Sequence, residues 1–242
     1  RHGYLRRDVQ RLINQDRNSF AASMVALGYA DGVVTGVTRS FNQVLEEVLR
    51  VIDPAPGGRV LGMSIVLARG KTLFVADTSV TELPEPSELI EIAHGAARTV
   101  RRLGFTPRLA FLSYSTFGNP SGLRSDRVRQ AVAMLDARGD ADFEYEGEMP
   151  PELALDPGST DNYPFMRLTD EANVLIMPAI HSASISTKLV QALGAATVIG
   201  PILVGLSKPV QICPLSASVS KILTMAQLAA YDSPLAETAR LV

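Results

Sequence analysis

Four times along these 242 residues, a run of aliphatic and β-branched residues gives way to a hydroxyl-rich loop and then to a helical pattern. The stretch 200–222 shows the grammar most fully. An apolar segment and a Ser-Lys-Pro turn lead into a β-rich run at 210–213, and a loop at 215–218 opens a helix reaching about Tyr231. The same order recurs with a strand at 31–37, the loop Thr38-Arg39-Ser40 and a helix over 41–52. It recurs with a strand at 108–112, a loop at 113–122 and a helix over 125–137, and again with a strand at 173–178, a loop at 179–186 and a helix over 187–193. Alternation of strands with 3.6-periodic helices predicts an α/β fold, in which loops at the carboxyl ends of strands share one side of a sheet. Unpaired N–H groups and the positive dipole end make such helix starts receptive to phosphate. The plainer reading of any one of these serines is an N-cap.

The remaining punctuation divides the chain. Helical spacing over 4–13 and 16–27 gives apolar faces of Leu5, Val9, Leu12 and Ile13, then of Phe20, Met24 and Leu27, with Asn14 as the cap between them. Asp53-Pro54-Ala55-Pro56-Gly57-Gly58 marks a domain crossing. Beyond it, β-rich runs at 60–68 and 72–76 flank Arg69-Gly70-Lys71 as a hairpin, and a helix covers 86–103, with His94 on its face. The acidic stretch 140–167 reads as loop, its Asp142, Glu144, Glu146 and Glu148 alternating as on a strand with one solvated face.

Composition closes several alternatives. With 46% hydrophobic residues the chain can bury a substantial core, and 23 basic against 25 acidic residues leave no basic stripe for nucleic acid. No run of about 18 apolar residues is present to span a membrane. A single cysteine, Cys213, allows no internal disulfide and fits a reducing, cytoplasmic compartment. There is no Walker loop, no Gly-x-Gly-x-x-Gly and no metal-ligand spacing, and His181 has no triad-like partner. The chain begins with neither Met nor a signal peptide, as expected of a segment of something longer.

Several stretches together resemble the phosphate acetyltransferases (phosphotransacetylases). They are Ala30-Asp31-Gly32-Val33-Val34-Thr35-Gly36, Leu112-Ser113-Tyr114-Ser115-Thr116, Asn173-Val174-Leu175-Ile176-Met177-Pro178, and Ile199-Gly200-Pro201-Ile202-Leu203-Val204-Gly205-Leu206 with Lys208-Pro209-Val210. The resemblance implies a two-domain fold of the isocitrate/isopropylmalate dehydrogenase type, three-layer α/β/α with an interdomain cleft for acetyl-CoA and phosphate. Its first, discontinuous domain would comprise 1–52 and 203–242, with an N-terminal part outside these residues; the second would be 53–202. Active members of the family follow the Lys-Pro-Val strand with a Ser-Arg pair and then an aspartate on the helix. Here those positions hold Pro214, Leu215 and Lys221, and no arginine occurs from Ser207 to Leu235. A general base is worth about 10²–10⁴ in rate and an electrostatic donor about 10²–10³. The segment is therefore expected to hold no catalytic residue.

Tyr4-Leu5-Arg6-Arg7-Asp8, Asn14-Gln15-Asp16-Arg17-Asn18 and His181-Ser182-Ala183-Ser184-Ile185-Ser186-Thr187-Lys188 narrow the resemblance to the C-terminal domain of the hybrid malic enzymes. That implies an acetyl-CoA-sensing, oligomerising module, dimeric or larger, behind malic and nicotinamide-binding domains that hold NAD(P) and a divalent metal. The segment itself would carry no cofactor. Ligand contacts would fall on Thr38, Arg39 and Ser40; on Ser113, Tyr114, Ser115 and Thr116; on His181, Ser182, Ser184, Ser186 and Lys188; and on Ser216 and Ser218. Two other readings stand beside it: a working phosphate acetyltransferase, and a purely architectural dimerisation domain.

Overall fold

A computed structural model describes residues 3–156, 158 and 162–233, so parts of the expected acidic loop and of the first domain's ends lie outside the described residues. The chain forms two compact units, Arg1–Val60 with Ile202–Val242 and, between them in sequence, Leu61–Pro201.

In the 61–201 unit, β2 (Leu61–Ala68) and β3 (Lys71–Ala76) form an antiparallel hairpin. Ala68 pairs with Lys71, leaving Arg69-Gly70 as a two-residue turn. Both residues have positive φ, 50° and 77°, as the inverted hairpin turn requires. The other strands are β4 (Arg108–Leu112), β5 (Glu144–Met149), β6 (Val174–Ile176) and β7 (Thr197–Val204), the last of which runs on past residue 201 into the other unit's sequence, in the order β5-β4-β6-β3-β2-β7. β6 runs parallel to both β3 and β4, and β4 parallel to β5.

Period-2 alternation sorts the side chains between faces. Val75, Ala110, Leu112 and Leu175 pack into one buried cluster with Ala154 of the short helix α6 (Pro151–Ala154) and Ala183 of α7 (Ile180–Ala192). Their neighbours Phe74, Leu109, Phe111, Val174 and Ile176 are also buried. Helix α4 (Pro86–Arg102) packs on β3 and β6, and α5 (Leu123–Arg138) on β4 and β5. Helices thus lie over a mixed sheet whose central strands are apolar on both sides.

Two expectations fail here. The residues 179–186, expected as loop, are helical almost throughout, because α7 starts at Ile180. Its hydroxyls are turned to the helix's own carbonyls: Ser186 Oγ donates to Ser182 O at 2.7 Å and Thr187 Oγ1 to Ala183 O at 2.8 Å. Hydroxyl-rich sequence reads as loop by composition, yet this back-bonding satisfies it inside a helix. The glutamates of β5 do not face solvent either. Glu146 is 5% and Glu148 0% exposed. Residues 167–169 fold across that face, and Glu146 accepts from the backbone and guanidinium of Arg167, Glu144 from Thr169. The buried Glu146 is tolerated because it is hydrogen-bonded and paired with Arg167.

In the other unit, β1 (Val33–Gly36) and β8 (Val210–Cys213) form a parallel pair, with Val33 opposite Val210 and Gly36 opposite Cys213. Around them lie α1 (Arg6–Gln15), α2 (Arg17–Ala26), α3 (Phe41–Leu49) and α8 (Val219–Tyr231). A Cβ on Gly36 would stand 2.1 Å from Cys213 O, so only glycine permits this strand contact. The cap between α1 and α2 is Asp16, not Asn14: its carboxylate accepts from Ser19 N at 3.0 Å. The apolar stripe expected of the second helix is outward as well. Phe20 and Leu27 are 51% and 73% exposed, while Asn18, Ser19, Ala22 and Val25 are buried. Polar residues take the inner face because buried partners await them there.

Candidate functional site

The four strand–loop–helix units do not share one sheet. The loops near Thr38 and Ser218 follow β1 and β8 of the two-stranded sheet, and those near Ser113 and His181 follow β4 and β6 of the six-stranded one.

In the first unit, Ser40 and Ser218 are N-caps, accepting from Gln43 N at 3.4 Å and Lys221 N at 3.3 Å. Arg39, expected to face a ligand phosphate, is instead tied to two carboxylates. Its Nη1 donates to Asp16 Oδ1 at 2.8 Å and to Glu47 Oε1. Asn18 Nδ2 donates to Glu47 Oε2 at 2.6 Å, and Thr35 Oγ1 to Asn18 Oδ1. This network joins the α2 cap, the end of β1 and the inner face of α3, and it fixes the Thr38–Ser40 loop. Burial pushes Asp16 upward, but hydrogen bonds from Ser19 and Asn18, together with Arg39, outweigh it and hold the carboxyl below its ordinary value. An incoming anion must compete with both carboxylates for Arg39. Sequence reading gave Asp16, Asn18 and Glu47 no role in the site; the usable signal was Glu47 at a buried helix position beside Val44 and Val48.

Where β8 meets α8, Pro214 is half-buried, and Leu215, Ser216 and Ser218 are exposed. Burial raises the Cys213 thiol above its ordinary pKa despite the opposing charge of Lys221, so it is no activated nucleophile. No described residue between β8 and the end of α8 is an arginine.

In the second unit the site residues separate. Ser115 is fully buried and donates to Glu148 Oε1 at 2.8 Å, and that oxygen also accepts from Gly118 N at 2.7 Å. Ser115 therefore anchors the loop. Thr116 exchanges backbone hydrogen bonds with Asn119, which closes the loop's tip. On α7, Ser184 and Ser186 are half-buried and Lys188 is exposed.

Four of the expected residues do meet. Ser113 and Tyr114, after β4, and His181 and Ser182, in the first turn of α7, edge one cavity of about 110 Å³. Its walls are apolar: Leu83 and Pro84, Leu89 of α4, Val128 of α5, Pro178 and Ala179. Two arginines of the first turns of α5, Arg124 and Arg127, complete the lining, and sequence reading missed both. Arg127 Nη2 lies 3.3 Å from Glu85 Oε1, whereas its Nη1 is buried without a hydrogen-bond partner among the described residues. Only the packing of α5 against α4 and β4 brings these charges to the mouth of the loop. Among the described residues no cluster of His, Cys, Asp or Glu is arranged to hold a metal, and no helix is long and apolar enough to cross a membrane.

The architecture is one of two α/β units with hydroxyl-bearing loops at strand ends. Residues 1–230 match the model of the phosphate acetyl/butaryl transferase family, and the chain belongs to that family. It is 60% identical over 96% of its length to an NADP-dependent malic enzyme of Rhizobium meliloti, of which it spans 30%. It is 33% identical over 93% of its length to a phosphate acetyltransferase of Corynebacterium glutamicum, spanning 69% of that protein. Among solved structures, a phosphotransacetylase from Streptococcus pyogenes superposes with a TM-score of 0.82 at 30% identity, covering 88% of this chain and 66% of that one. The chain thus spans about a third of the malic enzymes it matches, and its fold is phosphotransacetylase-like.

Proposed function

We propose that this chain is an acetyl-CoA-binding, non-catalytic phosphotransacetylase-like module that regulates and oligomerises a malic enzyme. In this reading the oxidative decarboxylation of malate to pyruvate, with its NAD(P) and divalent metal, belongs to other domains of the same cytoplasmic polypeptide. The 60% identity to an NADP-dependent malic enzyme supports the fusion. The observation that carries the loss of catalysis is the β8–α8 junction, where Pro214 and Leu215 offer no side-chain hydrogen-bond donor. Lys221 there reverses the charge a base would need.

Acetyl-CoA is the effector on this reading, with the exposed Ser216 and Ser218 and the start of α8 as contacts and Lys221, in that helix's first turn, available to its phosphates. Its effect on a remote malate site would be a coupling free energy of about 1–3 kcal/mol. The experiment is a pair of measurements on one preparation: calorimetric titration with acetyl-CoA, and an assay for acetyl phosphate from acetyl-CoA and inorganic phosphate. Saturable heat without product is the expected result. Product well above background would instead favour a working phosphate acetyltransferase, a reading supported by the named activity of the Corynebacterium glutamicum relative.

A further inference from the structure

Helix α1 has an apolar face that the described residues leave uncovered. Leu5 at its cap, Val9, Leu12 and Ile13 recur at i, i+4, i+7 and i+8, the spacing of a helix that lies against another surface. Yet no residue of α1 is buried: Leu5 is 56% and Val9 36% exposed, and Leu12 and Ile13 are half-buried. Among the described residues α1 packs chiefly on α2. The two helices share an open groove of about 410 Å³ whose lining includes Ile13, Arg17 and the half-exposed Phe20. A helix of ten residues is marginal in water and takes its stability from burying such a face. What covers it is picked out by place. This chain spans 30% of the Rhizobium meliloti malic enzyme, so most of such a polypeptide lies elsewhere. A segment joined to α1 through a few residues acts on it at an effective concentration of about a millimolar, ahead of any separate partner or second copy.

We propose that the polypeptide preceding Arg1 folds back on α1 and seats an apolar surface on Leu5, Val9 and the groove between Ile13 and Phe20. The join between this module and the domains before it is then a packed interface, which holds the two parts in one orientation, and not a free linker. The proposal rests on the fusion to a malic enzyme and not on acetyl-CoA binding, so the titration described above can fail without touching it.

Photo-crosslinking in the full polypeptide tests it, with p-benzoylphenylalanine replacing Leu5, Val9 or Phe20 in turn and no CoA compound present. Irradiation should give products of unchanged mass on a denaturing gel, and peptide mapping should join each position to peptides that precede Arg1. A product of twice the mass would give the face to a second copy and overturn the proposal. Crosslinks confined to residues 1–242 would overturn it too, as would the absence of a crosslink at all three positions. Hydrogen exchange gives a second readout. Val9→Glu should speed exchange of the α1 amides at least tenfold and quicken the crosslinked upstream peptides with them, whereas Val9→Ile should leave both near the parent. Faster exchange in α1 alone would count against the interface. If Val9→Glu does not fold, crosslinking at Leu5 and Phe20 decides. The intact mass of the polypeptide checks the fusion separately, since a product no longer than these residues would leave the proposal without its partner and overturn it.

Discussion

Gln211 shows how much one residue can hold. It is 1% exposed on β8, and its amide makes a reciprocal pair with the backbone of Leu203: Leu203 N donates to Oε1 at 3.0 Å and Nε2 donates to Leu203 O at 3.0 Å. The side chain substitutes there for a neighbouring strand. Gln211→Met keeps the volume but strands a buried N–H and a buried C=O, each costing about 1–3 kcal/mol. Urea unfolding should show a loss of about 2–6 kcal/mol; a loss within error of zero would mean that water or a shifted strand replaces the amide. Asp16 makes a different kind of statement. Because its folded pKa is depressed, its stabilisation is present above the unfolded value of about 3.9 and is lost as pH falls through the folded value. Asn caps a helix as well as Asp does, so Asp16→Asn isolates the charge. The variant should be less stable than the parent at pH 7, and the gap should close in acid titration below about pH 4. A gap independent of pH would assign the effect to packing.

At the scale of elements, α7 is the instructive case. Its sequence, Ile-His-Ser-Ala-Ser-Ile-Ser-Thr-Lys-Leu-Val-Gln-Ala, has four hydroxyl residues in its first eight, which is poor helix material by propensity. Tertiary burial of Ala183 and Thr187 under the sheet overrides that preference. Ser186 makes only local bonds, to Ser182 O and Ala183 O. Ser186→Ala should therefore raise the thermal midpoint slightly, by an amount equivalent to about 0.5 kcal/mol. A fall of that size in differential scanning would mean that the hydroxyl has a tertiary task. Strand β5 teaches the reverse lesson. Its period-2 alternation was legible, but the burial of its acidic face depends on residues 167–169, far along the chain.

For the whole molecule, binding to the folded state alone predicts a stability increase by mass action. Acetyl-CoA at a hundred times its dissociation constant should raise unfolding free energy by about 2.7 kcal/mol, with no acetyl phosphate formed. A dose-independent melting temperature would remove the effector reading and leave an architectural role. The family was legible because it rests on local wording: Ala-Asp-Gly at the entry to β1, Leu-Ser-Tyr-Ser-Thr at the exit of β4, and Lys-Pro-Val at the entry to β8. That Pro214 and Leu215 follow the Lys-Pro-Val strand was legible for the same reason, since they are identities and need no fold to be read.

Sequence by itself determined the alternation of strands and helices, the turn chemistry of the hairpin and the family, all of which depend on near neighbours. Tertiary structure alone decided which hydroxyls reach a shared space. Ser113 and Ser182 lie 69 positions apart yet edge one cavity, while Ser115, two residues from the first, is turned inward to Glu148. It also decided that Arg39 is neutralised by Asp16 and Glu47, and that Arg127, on an ordinary-looking amphipathic helix, keeps one buried nitrogen unpaired among the described residues. The physical reason is the same in each case. Whether a charge or hydroxyl is available to a ligand depends on which distant group has already bonded it, and such partners are fixed by packing rather than by spacing along the chain.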